Sequence, residues 1–246
     1  MSGRGHALGF ALAGAALACL SHPDIAAAIV AALGEPPRKP VGLQRLSRLA
    51  GDHLLLALAG LAIVAVLGVG IGILATRTGS VPIRRSIDSL AAFAQAIPPV
   101  VVVALALPVL GFGGPPTLLA LVAYGIMPVL RGTVGALESV PADAREAGHA
   151  IGLSGAQLML QVELPLAAPG ILETLRTALI LAIATVAVGA LAGASTLGTP
   201  IIAGLQNQAV LPLMQGTCAT AALAFLCDGL MLGLADLVRR RAATRP

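Results

Sequence analysis

The stretch His53–Ala75, HLLLALAGLAIVAVLGVGIGILA, decides the fold. No charged side chain interrupts it, and Thr76-Arg77 closes it. As an α-helix it would extend about 34 Å, enough to cross the hydrocarbon core of a bilayer with some tilt. Gly68 and Gly72 stand four residues apart, so one face of this helix admits another backbone at close range.

The rest of the chain has the same character. Hydrophobic residues make up 57% of the 246 and charged residues 11%, with a mean hydropathy of +0.95. A soluble domain carries charge on roughly a quarter of its residues. Here the charges are confined to short intervals between long apolar runs, so lipid has to be the solvent. The net charge of +4 does not indicate nucleic acid, because the basic residues flank apolar runs. With no Trp, one Tyr and four Phe, there is little on which a base could stack. Cys19, Cys218 and Cys227 lie in apolar stretches without a CxxC pattern, which reads as small core thiols and neither a disulfide framework nor a zinc site.

Working outward from His53–Ala75, the next run is Ser86–Phe112, broken by Pro98-Pro99 and again by Pro108. Proline cannot continue an ideal helix, and the carbonyls it frees need other partners. Gly111–Pro116 reads as a tight turn, and Thr117–Leu137 as a returning span with a kink at Pro128 and Arg131 near its end. Thr174–Ala194 follows, with Gly189 and Gly193 in small-xxx-small spacing. Ser195–Leu211 is polar and turn-rich, and Pro212–Val238 is the last span, closed by Arg239-Arg240-Arg241. At the N-terminus, Ala7–Leu20 and Ile25–Gly34 flank Ser21-His22-Pro23-Asp24. Without a strong basic region ahead of it, this segment reads as an additional retained helix in preference to a cleaved signal. The fold class is therefore an all-α polytopic membrane protein. Residues 1–52 form an N-terminal apolar helix and polar connector, and 53–246 form the membrane domain.

One interval, 138–173, is a long polar loop: Glu138, Asp143, Arg145, Glu146, Glu163 and Glu173 occur among short apolar groups. Placing it and the C-terminus in the cytoplasm puts most arginines inside, including Arg77, Arg131, Arg145 and Arg239–Arg241. Arg38, Lys39, Arg45 and Arg48 then fall outside, against the rule. Within the loop, Ala142–Ile151 has helix-forming residues with Asp143 and Glu146 where the helix dipole favours acids. Gly152 ends that helix, and Leu153–Leu164 reads as a second short helix stopped by Pro165.

At Glu146-Ala147-Gly148-x3-Gly152-x9-Val162-x-Leu164-Pro165 the sequence resembles the permease subunits of binding-protein-dependent ABC importers, whose cytoplasmic loop reads Glu-Ala-Ala-x3-Gly-x9-Ile-x-Leu-Pro. It departs at Gly148 and Val162, both small or β-branched and apolar. From His53 onward it is similar to the short, five-span permeases of the osmoprotectant subgroup, which import glycine betaine, choline, carnitine and related compounds. Gln95–Pro99, Tyr124–Arg131 and Ala182–Gly198 carry that part of the likeness. The resemblance implies a permease fold of five core spans, with the N-terminal helix as an extra, in a bacterial plasma membrane. It implies two permease copies, or this chain and a paralogue, around one path. An ABC ATPase dimer, holding ATP-Mg, would dock on the loop at Glu146, Ala147, Gly148, Gly152, Leu164 and Pro165. A periplasmic or lipoprotein binding protein would deliver substrate. This chain itself holds no cofactor and no ATPase: a P-loop needs GxxxxGK[ST], and its only lysine is Lys39, before Pro40.

For the pathway, the candidates are Gln95, Pro98, Pro99, Tyr124 and Asp228. Asp228 lies within the last apolar span, where an ionisable group is costly and marks function unless a neighbouring helix binds it. Asp88 and Gln95 are seven apart and could share a face, or Gln95 could bond the backbone freed by the proline pair. His53 and His149, at span and loop ends, read as solvated. The aromatic residues are too dispersed for a quaternary-ammonium cage, so high-affinity recognition would belong to the binding protein. The loop motif is shared by importers of methionine and other small solutes. A secondary transporter or channel would call for inverted repeats and several intramembrane ionisable groups, and this chain has one broken helix and one such carboxylate.

Overall fold

The computed structural model describes residues 3–36, 38–77, 86, 89, 90, 93 and 96–243. Its regular elements are all helical. Helices α1 (Gly3–Ser21) and α2 (Pro23–Ala32) meet at a bend of 73°. Pro23 causes it: the residue before a proline is pushed out of the helical region, and His22 has ψ of 136°. Proline then fits the first turn of α2, where no N–H is needed.

Helix α3 (Leu43–Arg77) starts well before the apolar run that announces it. Leu46 and Leu49 are buried against Leu197, while Arg45 and Arg48 stay exposed. Helix α4 (Pro99–Leu110) begins at the proline pair; the earlier half of the expected Ser86–Phe112 helix falls largely outside the described residues. Helix α5 (Gly114–Glu138) absorbs Pro115 and Pro116 into its first turn and carries Pro128 inside.

The close approach expected at Gly68 and Gly72 is made with α5. Gly60 faces Leu121, Val64 faces Gly125, Gly68 faces Val129, and Gly72 faces Thr133. The two numbers rise together in steps of four, so the helices run parallel with a small residue at each level on one side or the other. A Cβ on Gly68 would lie 2.8 Å from Val129 Cγ1, and one on Gly72 would lie 2.8 Å from Thr133 Cβ.

After the loop, α8 (Leu164–Val188) returns antiparallel to α5, and a 3-10 turn (Gly189–Ala192) ends it. The expected Gly189/Gly193 helical pair is absent. Gly189 packs on Thr117, whereas Gly193 has φ of +78° and turns the chain. The interval 195–211, read as polar and turn-rich, contains a helix, α9 (Gly198–Gln206), before α10 (Val210–Ala243). The core joins Ala57 and Val64 of α3, Leu121 and Val129 of α5, five residues of α8 from Ala178 to Val186, and Cys227 of α10. Among the described residues, four helical segments are long and apolar enough to cross a membrane, namely Leu43–Arg77, Gly114–Glu138, Gly155–Ala192 and Val210–Val238, with the bent α1–α2 pair as a fifth candidate.

Helix α1 packs along α10 in the opposite direction, with Gly14 under Leu226 and Gly229 under Ala7 and Ala11. The two polar residues that lock this side were not singled out by sequence or were read differently. His53 is fully buried, a correction to its expected solvation. Leu197 N–H donates to Nδ1 at 3.3 Å, which leaves Nε2–H to donate to the Ile183 carbonyl at 2.9 Å. Helix α3 extends beyond its apolar run, so His53 sits mid-helix and not at a span end. Gln215 of α10 is equally buried: its Oε1 accepts from Val41 N–H at 2.9 Å, and its Nε2 donates to Val41 O at 3.1 Å and Ser21 O at 3.3 Å. Gln215→Leu leaves those backbone groups without partners and is expected to cost about 1–3 kcal/mol. Limited proteolysis in detergent should then cut the 33–42 connector faster; an unchanged cleavage rate would show that this clasp does not hold it.

Candidate coupling site

Helix α6 (Ala142–Ala150) opens after Pro141, with Asp143 in its first turn. It closes in a Schellman arrangement: Gly152 N–H donates to His149 O at 3.0 Å and Leu153 N–H to Gly148 O at 3.1 Å. The arrangement needs a left-handed residue, and Gly152 supplies it with φ of +83°. Ser154 then caps the next turn reciprocally with Gln157: its N–H donates to Gln157 Oε1 at 2.9 Å, and Gln157 N–H donates to its Oγ at 3.4 Å.

The short helix α7 (Gly155–Leu158) passes into a π-helical turn (Met159–Glu163) and directly into α8. This corrects two expectations. Pro165 does not stop a helix; it sits in the first turn of α8, where its missing N–H coincides with the change from π to α spacing. The polar interval 138–173 is a loop only up to that junction, because 164–173 already belong to α8.

The motif residues divide into two sets. Glu146, Ala147 and Gly152 are exposed, and a Cβ on Gly152 would meet nothing within 4 Å. Ile151 beside it is 78% exposed. Gly148, expected on the docking face, is buried instead: it lies under Leu158, with Leu153 and Val162 next to it. Its lack of a side chain serves the fit of α6 on its own hairpin. Leu164 and Pro165 are half-buried at the start of α8. The arrangement presents a short convex apolar turn on a helix held from behind.

What holds it is a residue the sequence offered only as one charge among six. Glu163 is buried, and its carboxylate accepts from Arg145 Nε at 2.9 Å and from Arg77 Nη2. Arg145 Nη2 also donates to the Leu137 carbonyl at 2.6 Å. A groove of about 350 Å³ beside this cluster is lined by Arg77, Glu138, Arg145, His149 and Glu163, among others. His149 is exposed, as its place in the loop suggested. An acid between Val162 and Leu164, with arginines closing a span and opening the loop, was the available sign.

The family model described as "Binding-protein-dependent transport system inner membrane component" matches residues 68–242, which include the whole hairpin. The chain belongs to this family of ABC importer permeases. Among its curated relatives, the osmoprotectant import permease protein OsmY of Salmonella typhimurium is 32% identical over 73% of this chain and 76% of its own. The choline transport system permease protein OpuBD of Bacillus subtilis is 32% identical over 75% of this permease and 81% of its own length. The glycine betaine/carnitine/choline permease protein OpuCD of the same organism is 31% identical over 73% and 78%. Among solved structures, the inward-facing MetNI methionine ABC transporter aligns with a TM-score of 0.66 at 22% identity, covering 82% of this chain and 98% of that one. The permease is thus a multi-pass membrane protein of the importer permease fold.

Among the described residues, the pathway candidates of the permease, Pro98, Pro99, Tyr124 and Asp228, have separate surroundings. Gln95 and Asp88 lie outside the described residues. Pro98 is the exposed, extended residue ahead of α4, and its carbonyl accepts from Val101 N–H at 2.9 Å; Pro99 is the first residue of α4. Tyr124 borders a cavity of about 10 Å³ between α3, α5 and α8, next to Thr185, which is room for one water. Asp228 is buried and held by Arg176 through both oxygens, Nε to Oδ1 and Nη2 to Oδ2 at 2.9 Å. Arg176 also reaches Glu173 at 2.6 Å. Its guanidinium stands 5.9 Å from the centre of the Phe10 ring, which stacks on Phe225 at 5.6 Å. Two of the dispersed aromatics do meet, and one of them, Phe10, lies under an arginine.

Proposed function

We propose that this chain is the membrane subunit of an ATP-driven importer for an osmoprotectant such as glycine betaine, choline or carnitine. The observation that carries the reading is the Gly152 turn: an exposed, apolar, backbone-accessible knuckle on α6, backed by buried Glu163 and the part-exposed Arg145 and Arg77 that hold it. In this reading the turn faces the cytoplasm, as does the C-terminus, and fits a cleft in each protomer of an ABC ATPase dimer. Closure of that dimer on ATP-Mg pushes α6 and switches the permease between its two facing states. A second copy or a paralogous permease completes the path, and a binding protein outside supplies the specificity. The substrate class rests on relatives whose names specify osmoprotectants, choline, carnitine and glycine betaine.

The test is co-purification with the ATPase encoded beside it, then reconstitution with the neighbouring binding protein in liposomes. ATP-dependent uptake of radiolabelled glycine betaine, choline or carnitine is expected, with methionine as the contrasting substrate. Uptake without ATP would overturn the reading, and uptake of methionine alone would overturn its substrate class.

A further inference from the structure

We infer that Glu163 is a positioning residue that carries motion of α6 to the membrane helices, and that losing its charge uncouples ATP hydrolysis from transport. The inference deepens the reading above and rests on it. Helix α6 leaves Asp143, Glu146, Ala147, His149 and Ala150 without deep burial and packs chiefly on α7 and the π turn. Gly148 gives it an apolar seat on the hairpin, under Leu158 and beside Leu153 and Val162.

Beyond that seat, the directional links are polar and converge on one carboxylate. Arg145 of α6 and Arg77 at the end of α3 each hold one oxygen of Glu163, and Arg145 also ties to the last turn of α5 through Leu137 O. Arg77 Nη2 further lies 3.7 Å from Met159 Sδ at the other end of the π turn. A push on α6 therefore reaches α3 and α8 through Glu163, and α5 through Arg145.

The chemistry suits transmission better than mere adhesion. Apolar residues of similar volume usually hold a buried junction at least as well as an ion pair does, whereas charge-assisted hydrogen bonds fix direction. Glu163 also ends the π turn, where a helix carries one wide, deformable turn, and such turns concentrate at functional sites.

The experiment measures substrate imported per ATP hydrolysed, in liposomes holding the complete complex and given a mixture of radiolabelled glycine betaine, choline and carnitine. Glu163→Gln is expected to assemble with the ATPase and hydrolyse ATP, with import per ATP lowered at least about fivefold. Arg145→Gln, which leaves Arg77 on the carboxylate, is expected to move the ratio the same way, and Glu163→Asp to recover part of it. An unchanged ratio in both Gln variants overturns the inference. So does an equal fall in hydrolysis and import, which is what structural damage alone would give. Should Glu163→Gln fail to assemble, the ratio in Arg145→Gln decides. A wild-type complex that imports without ATP would instead overturn the function proposed above, so the two failures are distinct.

Discussion

Gly152→Trp is expected to abolish ATP-driven uptake while leaving the membrane helices assembled. Gly152 is open on its outer side: a Cβ there would meet nothing within 4 Å, so the first atom of an indole side chain has room. In the proposed function the indole would stand where the ATPase cleft closes. Loss of even about 1.4 kcal/mol of docking free energy lowers binding tenfold, and a displaced coupling turn should cost more. The positive φ of +83° adds a second penalty, of about 1–2 kcal/mol for any L side chain. Gly152→Ala carries that strain without the bulk and should lose only part of the activity. The readouts are ATPase retained on the affinity-purified permease and uptake in liposomes. A Gly152→Trp protein that retains both would remove the turn from the docking surface.

The second large effect lies at the Arg176–Asp228 pair. Arg176→Met leaves Asp228 buried among apolar helices with its main partner gone, and stranding one member of a buried pair costs about 3–5 kcal/mol. The unfolding midpoint in detergent should fall accordingly. Arg176→Met with Asp228→Leu removes both charges, and exchange of a buried pair for apolar residues is often neutral, so most of the stability should return. That double variant also separates two roles for Asp228. If the carboxylate only ties α10 to α8, the double variant imports normally; if it serves the pathway, the protein is stable and inactive. A single variant as stable as the wild type would show that the pair is hydrated.

The same pair shows why sequence reasoning stopped short at Asp228. A carboxylate in an apolar span is conspicuous, but its partner lies fifty-two residues away on another helix, at the border of the polar interval. Sequence distance hides such partners. Glu163 was hidden in the opposite way: it stood among several charges of an interval whose composition already looked polar, and only burial singles it out. Gly148 illustrates a third limit. Its place in a docking motif suggested a contact with the partner, but the side chain that needs its space is Leu158 of the same hairpin. The Gly152 turn itself was more legible as a piece of backbone, because a helix end with glycine at the left-handed position is a local event that neighbouring residues determine.

The stretch His53–Ala75 by itself determined that this protein lives in lipid, since an uncharged run of that length has no other solvent, and Gly68 and Gly72 marked the face for a neighbour. The Glu146–Pro165 spacing determined the family. What only the tertiary structure decided is which neighbour that face meets, that α3 extends back to Leu43 with His53 enclosed, and that the hairpin runs through a π turn into α8. Hydropathy and helix-end chemistry are written in contiguous residues. The pairing of buried polar groups is not, because in a membrane each must find its partner on whichever helix packing brings alongside.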